Sequence, residues 1–323
     1  MFLYIAAILF GFALLIWGAD RFVVGAASTA HSLGVSHLLI GLTVVGLGTS
    51  APEMLVSADA AFNGSPGIAI GNALGSNIAN IALILGLTAL IAPLTVRSET
   101  LYRELPMLLA VTLLSLVPFL DSYLSRIEGF MLISGLGLML YWLVRIETRS
   151  RANDPLHIEY ESEIRSDLSL STALMLLLVG LLVLLVSSHI LVWGAIQVAT
   201  ELGISDLVIG LTIIAIGTSL PELAATISAA LKGEDDLAVG NVIGSNMYNL
   251  LAVMGLAGII QPLPLDPEVL NRDFPIMIGL TVILFAMAYS WNESGGRIGR
   301  REGAALAVAF FAYQGYVIYG VLR

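Results

Sequence analysis

Apolar residues run along this chain in long blocks, at 2–29, 36–62, 67–92, 104–120, 127–145, 170–199, 205–231, 237–261, 273–290 and 303–322. Short polar or turn-forming breaks separate them, such as Gly34, Asn63 to Pro66, Pro93 to Glu99 and Asp121 to Arg126. A helix that crosses a bilayer needs about 20 mostly apolar residues. The pattern therefore predicts an all-α membrane protein with ten transmembrane helices. The longest break, 146–169, leaves five spans on each side. It is expected to be a flexible linker between a first unit at 1–145 and a second at 170–323. The first block lacks a basic flank and a small-residue cleavage site, so it reads as a span and not as a removable signal.

Composition agrees with the pattern. Of 323 residues, 58% are hydrophobic and 12% are charged, with a mean hydropathy of +0.93. Soluble domains carry about 25% charged residues. Little chain is left for a folded soluble domain. The net charge of -10 comes with no basic arm or stripe, so nucleic acid is not an expected partner. No obligate protein partner is evident either. The chain has no cysteine, which excludes disulfides and thiolate metal sites.

Lysine and arginine set the orientation. Odd-numbered loops carry 11 of the 14, including Arg97, Arg103, Arg149, Lys232 and Arg300. The positive-inside rule places those loops in the cytoplasm. Both termini are then outside, and 146–169 is inside.

The chain also repeats itself at a constant offset of 169 residues. GLTVVGLGTSAPE at 41–53 returns as GLTIIAIGTSLPE at 210–222, with 8 of 13 positions identical. GNALGSNIAN at 71–80 returns as GNVIGSNMYN at 240–249, with 6 of 10 identical. The copies lie within about 36–92 and 205–261. Each unit has an odd number of spans, so the second enters the membrane upside down: two inverted five-helix repeats. Inverted repeats are a signature of secondary transporters with a site near the membrane midplane.

The repeated segments are the polar ones. Glu53 and Glu222 fall inside predicted spans, where a charged carboxylate costs at least roughly 2.5–3.5 kcal/mol on insertion scales. Two such acids at matched positions call for a cation or protons. Pro52 and Pro221 are expected to break their helices just before the acids, helped by Gly48 and Gly217, and to free backbone carbonyls. Thr49, Ser50, Thr218 and Ser219 add hydroxyls. Ser76, Asn77 and Asn80, with their twins Ser245, Asn246 and Asn249, add oxygens from the next spans. The sum is an all-oxygen site suited to Ca2+, Mg2+, Mn2+ or Na+, and not to Zn2+ or Cu2+. No resident cofactor is expected. Gly41, Gly71, Gly75, Gly210, Gly240 and Gly244 read as close helix packing.

GTSAPE with GNALGSNIAN, and GTSLPE with GNVIGSNMYN, resemble the two alpha-repeats of the calcium:cation antiporter superfamily, and most of all its prokaryotic sodium/calcium exchangers. The resemblance covers essentially the whole chain. It implies Na+/Ca2+ antiport across the plasma (inner) membrane of a prokaryote, with Glu53 and Glu222 coordinating Ca2+. It implies that the hydroxyls of Thr49, Ser50, Thr218, Ser219, Ser76 and Ser245 complete the Ca2+ and Na+ sites. Backbone carbonyls near Gly46 and Ala215 match Na+-binding positions, and Asn80 and Asn249 hold the central polar positions. Some members have aspartate where Asn249 stands. Relatives driven by H+ carry a further acid in that region, which makes H+ coupling the alternative here. A channel is a remoter reading, as is an intramembrane enzyme, since no HExxH or nucleophile-elbow motif occurs.

Several signals read more plainly. Asp20 and Arg21 are expected to pair with each other. Glu234, Asp235 and Asp236 read as a hydrated loop, and Asp59 equally as a vestibule-lining residue or as a solvated carboxylate near a loop. The four tryptophans read as interfacial anchors. The four histidines read as surface or packing residues.

Overall fold

The computed structural model describes residues 2–64, 66–96, 103–119, 121–153, 168–202, 215–288 and 296–321. These residues are predominantly helical. Six helices among them are long and apolar enough to cross a membrane, seven if one bent pair counts as a span. We label the helices α1 (Phe2–Leu33), α2 (His37–Thr49), α3 (Ala51–Phe62), α4 (Gly67–Ile91), α5 (Leu105–Leu114), α6 (Arg126–Asn153), α7 (Leu170–Glu201), α8 (Ala215–Thr218), α9 (Leu220–Leu231), α10 (Asp235–Ile260), α11 (Val269–Ala288) and α12 (Arg300–Val321). The bent pair is α2 and α3, which meet at 43°.

The core lies along α4 and α10. Their apolar windows are 78% and 83% buried, against 22% for α1 and 28% for α7. The outer helices expose large apolar side chains, among them Leu9 and Phe12 on α1 and Leu178 and Leu182 on α7. In lipid such a surface costs nothing, so association rests on close packing. Glycine provides it where α2 crosses α10: a Cβ on Gly244 would meet the Leu42 carbonyl oxygen at 2.5 Å, and one on Gly240 the Leu38 oxygen at 2.8 Å. The packing role expected of the motif glycines is met there and at Gly41. At Gly71 and Gly75 no described atom lies within 4 Å of the added carbon, and Gly210 lies outside the described residues.

The two halves interlock. α6 packs on the end of α10, and α12 on the end of α4. Two short antiparallel ribbons tie the loops. β1 (Leu94–Val96) pairs with β4 (Gly296–Ile298), and β2 (Tyr123–Leu124) with β3 (Leu263–Pro264).

Four expectations change. α6 runs on to Asn153, into the stretch read as a linker, while 154–167 lie outside the described residues. The acidic run is not a loop: Asp235 and Asp236 fill the first turn of α10, where carboxylates oppose the positive end of the helix dipole. Glu234 meets the His37 ring at 2.5 Å, so that histidine is a partner and not a bystander. Asp20, finally, contacts Lys232 at 2.5 Å and Arg21 at 3.7 Å. The nearer partner comes from the end of α9, which the sequence order hides.

Candidate ion-binding site

The glutamates sit just past helix breaks. The first break falls at Ser50 (φ -82, ψ 3), the second at Ser219 (φ -88, ψ 7). Pro52 and Pro221 occupy the first turn of the helix that follows, where a missing N–H costs nothing. The prolines thus start α3 and α9, and the serines before them carry the bend. Each proline still denies an N–H to the carbonyl four residues back. At Gly217 the Ser188 hydroxyl of α7 donates to that carbonyl at 3.0 Å. Ala19 stands at the offset position in α1 and has no hydroxyl to do the same for Gly48. The Gly46 carbonyl is not freed, since it accepts the Ser50 N–H at 3.0 Å. Ala215 begins α8.

Glu53 and Glu222 are each 1% exposed. They are neighbours in the core. The Ser50 hydroxyl donates to Glu222 Oε1 at 3.3 Å, so the first motif supplies a group to the second motif's acid. Thr49 Oγ1 lies 3.4 Å from Ser245 Oγ and donates to Asn241 Oδ1 at 3.0 Å. Ser219 and Thr218 stand beside Glu53 without closing a hydrogen bond to its carboxylate. Asn80 Nδ2 donates to Asn246 Oδ1 at 3.0 Å. Ser76 is buried beside Asn77. Asn77 turns away and donates to Met277 on α11.

Asn80 and Asn249 occupy twin π-helical turns, Ala79–Ile84 and Asn249–Val253. Such turns add a residue to an α-helix and recur at functional sites. The first packs against α9, which bears Glu222, and the second against α3, which bears Glu53. Each repeat therefore completes the surroundings of the other's acid.

Buried polar atoms without a hydrogen-bond partner gather on these residues: both Glu53 oxygens, Glu222 Oε2, Ser219 Oγ, Asn77 Oδ1, Asn80 Oδ1, Asn249 Oδ1 and Asn246 Nδ2. All but the Asn246 nitrogen, a donor, are oxygens with lone pairs. A buried acceptor left unmatched costs about 1–3 kcal/mol, and more when charged. A hard cation would satisfy such oxygens together. No group of three or more His, Asp or Glu placed to hold a metal ion occurs among the described residues.

Sequence reasoning missed several residues. Ser188 gives no signal, because its offset twin is alanine. Asn72 and Asn241 do give one: both follow the motif glycine, in identical positions of the two copies.

Comparison with known proteins yields close relatives. A family model described as "Sodium/calcium exchanger protein" matches residues 3–145 and 172–319. CaxA of Alkalimonas amylolytica, described as a candidate antiporter, is 48% identical over 312 residues, 97% of this chain and 97% of that protein. The inner membrane protein YrbG of Escherichia coli is 40% identical over 315 residues, 97% of this chain and 96% of that one. A solved structure of the sodium-calcium exchanger NCX_Mj, soaked with Na+ and Ca2+, superposes with a TM-score of 0.82 at 34% identity, covering 96% of this chain and 97% of that chain.

Proposed function

Because the chain belongs to the sodium/calcium exchanger family, a family of cation antiporters integral to the membrane, we propose that it exchanges Na+ for Ca2+ by alternating access. The observation that carries the reading is the buried pair Glu53 and Glu222 among unmatched oxygens. Two carboxylates neutralise one divalent cation. The hydroxyls of Thr49, Ser50, Thr218, Ser219, Ser76 and Ser245, the amide oxygens of Asn80 and Asn249, and the backbone at Gly46 and Ala215 are the remaining ligands we assign to Ca2+ or Na+. Displacement of one ion set by the other at a shared site is what makes the exchange obligatory. Asparagine at both central positions favours Na+ over H+ as the driving ion, because neither amide can carry a proton across.

We further read the chain as ten spans in two inverted repeats, 1–145 and 170–323, about a cytoplasmic 146–169, with both termini outside. The ribbons support this. β1 and β4 join loops that an alternating chain puts on one side, and β2 and β3 join loops on the other.

The test is equilibrium binding of radioactive calcium to the purified protein. Competition by Na+ at constant pH supports the reading. Displacement by acid but not by Na+ would replace the coupling ion with H+.

A further inference from the structure

Asn241 is 1% exposed and makes three hydrogen bonds. Its Nδ2 donates to the Glu222 carbonyl oxygen at 3.4 Å and to Thr226 Oγ1 at 2.9 Å. Residues 222 and 226 are one turn apart on the same face of α9, so the amide brackets the turn that bears the acid. Its Oδ1 accepts from Thr49 Oγ1 at 3.0 Å.

The chemistry of these partners fixes the amide. A carbonyl oxygen only accepts, so Nδ2 faces Glu222 and Oδ1 faces Thr49. Thr49 has one hydroxyl hydrogen. The hydroxyl also lies 3.5 Å from the Gly46 carbonyl and 3.4 Å from Ser245 Oγ, with the Glu222 carboxylate within its reach as a competing acceptor. With the hydrogen committed to Asn241, the Thr49 lone pairs are left for a cation. Without Asn241, the hydroxyl is free to turn its hydrogen toward a neighbouring acceptor and offer a cation the wrong end of its dipole.

The offset twin repeats the bracket. Asn72 Nδ2 donates to the Glu53 carbonyl oxygen at 3.3 Å and to Ser57 Oγ at 3.0 Å. Residues 53 and 57 are again one turn apart, now on α3.

We propose that Asn241 is a positioning residue for the cation: it locks the Glu222 turn and takes the Thr49 hydrogen, joining one repeat's acid to the other repeat's hydroxyl. Asn72 plays the matching part for Glu53. The inference rests on the reading that Glu53 and Glu222 bind the transported cation.

The experiment is equilibrium binding of radioactive calcium to the full-length protein in detergent without Na+, for Asn241→Ala, Thr49→Val, the double variant, Thr226→Val and Glu222→Gln. Outer partners of metal ligands are worth roughly 10–100-fold in affinity. We expect Asn241→Ala to weaken binding by roughly tenfold, at the lower end of that range. The double variant should lose less than the two single losses combined, because part of what Asn241 does runs through Thr49 and part through the Glu222 turn. Thr226→Val, which removes one anchor of the amide, should give a smaller loss in a protein that elutes as wild type, and decides the matter if Asn241→Ala does not fold. Wild-type affinity in Asn241→Ala and Thr226→Val, or independent losses in the double variant, would overturn the positioning role if Glu222→Gln still abolishes binding. Normal binding in Glu222→Gln would instead remove the reading on which the proposal rests.

Discussion

Ser50, from the first copy of the motif, donates its hydroxyl hydrogen to the Glu222 carboxylate of the second copy at 3.3 Å. The bond crosses between the halves of the chain, so neither motif is a complete site. It also sets a scale. Ser50→Ala removes one hydroxyl and leaves both acids. A hydrogen bond to a charged group is worth about 1.5–3 kcal/mol, or roughly ten- to a hundredfold in affinity. We expect the calcium concentration for half-maximal flux to rise within that range while the maximal rate is largely kept.

Removing a carboxylate is a different change. Glu53→Gln and Glu222→Gln keep the shape of the side chain but leave one negative charge against a divalent ion. Each variant alone should abolish calcium flux while eluting from a sizing column as wild type does. Substantial flux in both would detach the acids from transport.

Packing gives a prediction independent of function. A Cβ at Gly244 meets the Leu42 backbone oxygen at 2.5 Å, and backbone cannot swing aside. Overpacking of this kind costs typically about 1–3 kcal/mol. At Gly279 on α11 no described atom lies within 4 Å of the added carbon. Thermal unfolding in detergent should show Gly244→Ala clearly lowered and Gly279→Ala unchanged or raised, since alanine favours helix over glycine by about 1 kcal/mol.

Ser188 offers a second stability test. Its hydroxyl satisfies the Gly217 carbonyl that Pro221 leaves without a helical donor. Ser188→Ala should cost about 1–3 kcal/mol through the unmatched buried acceptor. Ala19→Ser, at the offset position in α1, is the matched control and should bring no such loss. The Lys232–Asp20 pair, with side chains 32% and 40% exposed, belongs to the weak class of ion pairs. Lys232→Ala should change stability by less than about 1 kcal/mol.

These particulars show what a sequence can and cannot disclose. Glu53 and Glu222 are legible because an acid in an apolar span is costly, and because the same acid returns after a constant offset. Their helix breaks are legible from proline, yet proline marks the start of the next helix and the serine ahead of it takes the bend. The π-helical turns at Asn80 and Asn249 leave no local trace, since π-helix and α-helix draw on the same residues. Pairings such as Ser50 with Glu222 and Thr49 with Asn241 depend on how two distant segments interlock. Asn72 and Asn241 lay in plain view within the repeated motif, but an asparagine that donates to a backbone carbonyl looks in sequence like one that faces the ion.

The central claim is that Na+ and Ca2+ exchange at a site built on Glu53 and Glu222. Its most direct test is uptake of radioactive calcium into proteoliposomes loaded with Na+ or with choline, at equal pH on both sides. We predict uptake with outward-directed Na+, none with choline, and none in Glu53→Gln or Glu222→Gln. Uptake driven by a pH gradient without Na+, or no uptake under any Na+ gradient, would contradict the account.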